Sequence, residues 1–219
     1  IQVSSDGGTT WTTKGTSASS SAPYTATLAG LTSGTTYSIR ALVTDTAGNT
    51  ATSALSTTNG KITVDTTAPT VGTLTMTTPD DGSADNDGII GTLTPAFSLA
   101  SASDTAYTGT GAATAGIASV VLQVSTNGST WTDNATFTAP TSPATAYTVT
   151  ASPALSTNGT YSIRALVTDT AGITSTAALS TTNGRITVDT TAPTAGTLTM
   201  TSTDTGSSGS DGIINTTTP

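Results

Sequence analysis

Residues 37–48 read YSIRALVTDTAG, and residues 161–172 read the same twelve residues, 124 positions later. The offset persists: KITVDTTAPT at 61–70 answers RITVDTTAPT at 185–194, GTLTMT at 72–77 returns at 196–201, and DGII at 87–90 returns at 211–214. Across 37–95 and 161–219, 46 of 59 paired positions are identical. Upstream, IQVSSDGGTTW at 1–11 aligns with LQVSTNGSTW at 122–131 through a one-residue deletion. A chain self-similar at one long period builds one structural unit again and again. The expected division is the C-terminal part of a repeat at 1–64, a complete repeat at 65–188, and the N-terminal part of a third at 189–219. This phase reads as a window on a longer polypeptide. The alternative is a polymer in which 189–219 completes the 1–64 half of a neighbouring chain, as in strand donation. That alternative leaves the equivalent of 96–121 unfilled.

Within the repeat the apolar period is two. Leu74 and Met76 alternate in TLTMT, Phe97 and Leu99 in AFSLA, and Tyr147 and Val149 in AYTVT. Val121, Gln123 and Ser125 are expected to oppose Leu122 and Val124, while Tyr161, Ile163, Ala165 and Val167 share one face of YSIRALV; Ile186 and Val188 close the repeat. Each run is short and bounded by Gly, Pro, Asn or Asp, as strands are. The fold class expected is all-β: tandem immunoglobulin-like antiparallel β-sandwiches with a period of 124 residues. Tyr37 and Tyr161 are placed as tyrosine corners, and DTAG at 169–172 as a turn in which Asp accepts backbone N–H groups and Gly takes positive φ.

Composition narrows the chemistry. The chain has no His and no Cys, and all thirteen acids are Asp. Ser-His-Asp triads, Cys nucleophiles and thiolate or imidazole metal sites are therefore unavailable. Five cations and a net charge of −8 make a phosphate-binding surface unfavourable, so no nucleic-acid partner is expected. No apolar run is long enough to insert in a membrane. The chain's 59 Thr and 27 Ser suit pleated surfaces whose hydroxyls face water. Aspartates, hydroxyls and backbone suit hard cations better than catalysis, and the chain is not expected to be an enzyme.

VDTTAPT, the TDTAGNT turn at 44–50 and MTSTDTGSSGSDGII at 200–214 resemble the tandem bacterial Ig-like repeats of large surface adhesins and biofilm-associated proteins. The resemblance covers essentially the whole chain and implies nothing about ligand. It implies extender domains outside the cell that hold a terminal binding domain away from the surface, many of them binding Ca²⁺ near their junctions. Two stretches depart from the shorter common form, DTAYTGTGAATAG at 104–116 and STTNG at 180–184.

On an immunoglobulin-type sandwich the aspartates fall near the poles. Asp65, Asp104 and Asp169 are expected to gather at the upper junction, and Asp189 with Asp80, Asp81, Asp85 and Asp87 at the lower one. Asp45 occupies the equivalent turn of the first copy, and Asp204 and Asp211 belong to the third. Converging carboxylates repel unless a cation lies between them, and Ca²⁺ accepts six to eight oxygens with tolerant geometry. The cofactor expected is structural Ca²⁺. The competing reading is that each Asp caps its own loop. The run at 81–87 is not an EF-hand, because Asn86 and Thr92 stand at its sixth and twelfth positions.

Other signals read as structure. Ser4-Ser-Asp6-Gly-Gly8-Thr-Thr10-Trp11 fits an Asp-box, and together with Ser125–Trp131 it reads as a hairpin with a packed Trp. Tyr24, Tyr107 and Tyr147 could form a sugar-stacking face, though isolated aromatics on a sandwich more often belong to its core. The expected function is a structural extender of an extracellular, surface-anchored or secreted bacterial adhesin, its partners the neighbouring repeats of the same polypeptide. The alternatives are a subunit of an extracellular filament, touching identical chains along a fibre, and a glycan- or surface-binding module.

Overall fold

The computed structural model describes residues 1–19, 21–56, 60–80, 87–104, 116–140, 146–156, 158–181, 184–205 and 207–218. Among them there is no α-helix, and regular structure is entirely β.

In the first copy, β1 (Gln2–Ser4) and β2 (Thr12–Thr13) form a hairpin, and β3 (Thr35–Thr44) is the long central strand. β4 (Thr50–Ala54) and β5 (Lys61–Val64) both pair antiparallel with β3, giving one five-stranded sheet. Arg40 lies over the Trp11 ring at 4.0 Å and donates from Nε to Gln2 Oε1 at 2.9 Å, so the hairpin's Trp is a packing residue. Asp6 holds the hairpin turn by accepting the Thr9 and Thr10 N–H groups at 3.0 and 2.9 Å. The Tyr37 hydroxyl accepts the Thr32 N–H at 3.1 Å, the back-bond of a tyrosine corner. Among the described residues of this copy, the buried apolar side chains are Val3, Tyr37 and Ile39.

The second copy builds three sheets over one core. β6 (Thr70–Val71) pairs with β10 (Ala102–Ser103). β7 (Leu74–Met76), β9 (Ala96–Leu99) and β13 (Tyr147–Thr150) form a three-stranded antiparallel sheet. The larger sheet has β14 (Gly159–Asp169) at its centre, flanked by β11 (Ile117–Ser125) on one edge and by β15 (Thr174–Ala178) and β16 (Arg185–Val188) on the other. β12 (Thr132–Thr136) extends it beyond β11, and β8 (Ile89–Ile90) adds in parallel to β16. Phe97, Leu99 and Leu74 from the small sheet meet Leu122, Ile163, Val167 and Ile186 from the large one, all with almost no exposure. Burying a side chain of this size is worth about 1.5–3 kcal/mol. Among the described residues, twenty buried core residues in the second copy against three in the first give the second copy most of the hydrophobic stabilisation.

The alternation expected over 121–125 holds against β14: Leu122 pairs with Ala165 and Val124 with Ile163, both on the core side, while Gln123 and Ser125 are buried on the opposite face. The pairing of β11 with β12 shifts between Leu122 and Gln123, leaving Asn134 as the extra residue of β12. Tyr147 is a core residue, only 2% exposed, so it offers no sugar-stacking face; Tyr24 is exposed, and Tyr107 lies outside the described residues. Finally, β15 and the parallel β8 were not foreseen, being too polar and too short to show an apolar period.

Candidate metal centre

β14 runs its core face as Tyr161, Ile163, Ala165, Val167 and Asp169, every one buried. The strand's two-residue period therefore carries a carboxylate out of the core at its far end, where Asp169 is 1% exposed. The turn that follows is built by that residue. Asp169 Oδ1 accepts the Ala171 and Ile173 N–H groups, both at 2.8 Å, and Gly172 takes φ of 87°. One oxygen is thus committed to the turn, and no hydrogen-bond donor reaches the other, Oδ2, although it is buried.

A second carboxylate arrives by a different route. β6 and β10 zip the segment after the linker to the segment before Asp104, with Thr70 opposite Ser103 and Val71 opposite Ala102. Gly72 permits this approach: a Cβ there would lie 2.6 Å from Ser101 Oγ and 2.9 Å from its backbone nitrogen. Pairing at Thr70 and Ser103 leaves the linker start and Asp104 at the same end of the ladder. Asp65 uses Oδ1 to accept the Thr67 N–H at 3.0 Å. Asp65, Asp104 and Asp169 each present a ligand oxygen within 4.8 Å of one another, with Asp104 and Asp169 buried and Asp65 half-buried.

Two carboxylate charges 4.8 Å apart repel by about 3.5 kcal/mol at an effective dielectric near 20. A positive charge between them relieves that repulsion. The three oxygens, all within 4.8 Å of one another, are close enough to share one hard cation. A buried oxygen without a donor, Asp169 Oδ2, is what a cation would take up.

Asp80, Asp87 and Asp189, also named as candidate ligands, accept hydrogen bonds in the loops around them. Asp80 Oδ2 accepts the Gly88 N–H at 2.9 Å, and Asp87 Oδ1 accepts the Ile89 N–H at 2.9 Å. The third segment repeats both bonds, Gly212 N–H to Asp204 Oδ2 at 2.9 Å and Ile213 N–H to Asp211 Oδ1 at 3.1 Å. Both bonds form where the described residues of this segment are largely exposed, with Leu198 98% exposed and Ile213 62%, so they are local. Asp189 is exposed and accepts from Thr191 N–H at 2.9 Å and Asn158 Nδ2 at 3.1 Å. Among the described residues, Asp80, Asp87 and Asp189 do not come together as a cluster of three. Asp81 and Asp85 lie outside the described residues.

Three positions escaped the sequence reading: Asn158 and Ser33, which bind the linkers, and the residue four after the turn Asp, Asn49 or Ile173, whose side chain decides whether that Asp keeps its second oxygen open. Comparison with protein-family models and with curated proteins returns no match. Among the described residues, no helix is long and apolar enough to cross a membrane.

Proposed function

We propose that this chain is a stretch of extender repeats from an extracellular bacterial surface adhesin. Its units are immunoglobulin-like sandwiches recurring every 124 residues, and Ca²⁺ held by Asp65, Asp104 and Asp169 stiffens the connection between successive repeats. The observation that carries this reading is the convergence of the three carboxylates, one from a linker and two from the repeat that follows, around the unpartnered Asp169 Oδ2. A cation there ties the linker to the body of the next repeat, turning a flexible string into a rod. No role is assigned to catalysis, and the work of each copy is mechanical.

A second reading, a filament subunit in contact with identical chains, is favoured by one observation. Leu42, Val43, Leu198 and Ile213 are large apolar side chains left exposed in the first and third segments. Sedimentation of the purified chain separates the readings, since the extender stays monomeric at high concentration and the filament subunit assembles. The extender reading itself is tested by melting the chain in Ca²⁺ and in EGTA. Ca²⁺ is expected to raise the midpoint of the second copy, and a midpoint indifferent to EGTA removes the cation from the account.

A further inference from the structure

The loop that precedes each central strand holds the linker that leaves the same copy. β3 pairs with β5 so that Thr35 faces Val64, and β14 pairs with β16 so that Gly159 faces Val188. Those registers put residues just before Thr35 and Gly159 beside the first linker residues, 65–67 and 189–191. In the first copy the Thr66 N–H donates to Ser33 Oγ at 2.9 Å, Ser33 Oγ lies 3.2 Å from Thr67 Oγ1, and the Gly34 N–H donates to the Val64 carbonyl at 2.8 Å. In the second, Asn158 makes four bonds to the linker. Its Nδ2 donates to Asp189 Oδ1 at 3.1 Å and Thr191 Oγ1 at 2.7 Å, and its Oδ1 accepts the Thr190 N–H at 3.1 Å and hydroxyl at 2.7 Å.

We infer that this loop side chain is a latch and that Ser33 is a positioning residue for the Asp65 carboxylate. The inference rests on the reading of Asp65, Asp104 and Asp169 as a cation site. Asp65 is held from both sides: its neighbour Thr66 is fixed to the preceding copy by Ser33, and its own Oδ1 is fixed by Thr67. The remaining oxygen can then face the following copy without an ordering cost at the moment a cation binds. The latch is thus the link through which the body of one copy sets the direction of a ligand at the next. Asn158, an amide that donates and accepts, is the fuller version, whereas Ser33 offers one hydroxyl. Neither side chain touches the cation.

Terbium or calcium titration of the full 219-residue chain tests this, with amide hydrogen exchange at Thr66 and Thr190 measured alongside. Ser33→Ala is expected to weaken cation binding by about fivefold, the value of one exposed-to-intermediate hydrogen bond. Ser33→Thr is expected to restore it, and the cation-free melting midpoint of the second copy should not move. Asn158→Ala is expected to speed exchange at Thr190 and leave binding at Asp65 unchanged. If the wild-type chain binds and Ser33→Ala binds equally well, Ser33 does not position the site. If the wild-type chain binds no cation, it is the reading of the three aspartates that fails, and the latch then stands or falls on exchange at Thr66 and Thr190. Unchanged exchange in Ser33→Ala and Asn158→Ala overturns it.

Discussion

The same twelve residues, YSIRALVTDTAG, stand at 37–48 and at 161–172, and only the second set is buried to its end. Val167 is fully buried and Val43 is 49% exposed; Asp169 is buried and Asp45 exposed. What differs is the cover. β11 runs beside β14 from Ile117 to Ser125, reaching Asp169 itself, whereas β1 accompanies β3 only over Ser38–Arg40. The turn is local and forms in both copies: Asp45 Oδ1 accepts the Ala47 and Asn49 N–H groups just as Asp169 Oδ1 accepts those of Ala171 and Ile173. The availability of the second oxygen depends on the side chain four residues on. In the first copy Asn49 Nδ2 donates to Asp45 Oδ2 at 2.9 Å; in the second, the Ile173 side chain has no donor, and Asp169 Oδ2 is left without one. A turn motif therefore fixes where a carboxylate sits, and its neighbours decide what it can bind.

The largest expected contrast is in packing. Val167→Ala should destabilise the second copy by about 2 kcal/mol, and Val43→Ala should stay within about 0.5 kcal/mol, both read from urea midpoints. Equal costs would mean that β3 is as well covered as β14. Next comes the site. Ile173→Asn should donate to Asp169 Oδ2 as Asn49 does to Asp45, lowering cation affinity by about tenfold in a calcium titration. Undiminished binding would show that Oδ2 is not the liganding atom.

The strands and the meeting of Asp65, Asp104 and Asp169 were legible in the sequence because both follow from period and topology. Alternating apolar residues marked β7, β9, β13, β14 and β16, and a sandwich places a linker and two end loops at one pole. Three things were not legible. The extra residue Asn134 in β12, opposite Leu122 and Gln123, shifts that pairing, and no period announces it. Asp80 and Asp87, candidate ligands by sequence, accept the N–H groups of Gly88 and Ile89, bonds that no sequence pattern announces. Asn158 reaches its linker across 31 to 33 residues, a contact visible only once the register of β14 on β16 is known.

Smaller effects sharpen the same comparison through two tyrosines. The Tyr147 hydroxyl is buried without a hydrogen-bond partner, and burial pushes its pKa up. Tyr147→Phe should raise the second copy's stability by about 1 kcal/mol, whereas Tyr37→Phe, which orphans the Thr32 N–H, should lower the first copy's by about as much. A loss of stability in Tyr147→Phe would show that the hydroxyl has a partner. The smallest effect is in acid. The Asn49 amide, and after it the Asn49 N–H, hold the Asp45 carboxyl below the ordinary aspartate range. Because the folded pKa is depressed, the stabilisation is present above the unfolded value and fades as pH falls through the folded one. Carboxyl ¹³C titration should place Asp45 below ordinary aspartates, and Asn49→Ile should move it up; a titration in the ordinary range before substitution contradicts the turn.

The central claim is that Asp169, with a buried oxygen left open where Asp45 has none, anchors a cation between linker and repeat. Isothermal titration of Ca²⁺ into the full chain and into Asp169→Asn and Asp45→Asn tests it most directly. The account predicts binding to the wild-type chain that Asp169→Asn abolishes and Asp45→Asn leaves intact. Binding that survives Asp169→Asn, or no binding to the wild-type chain, contradicts it.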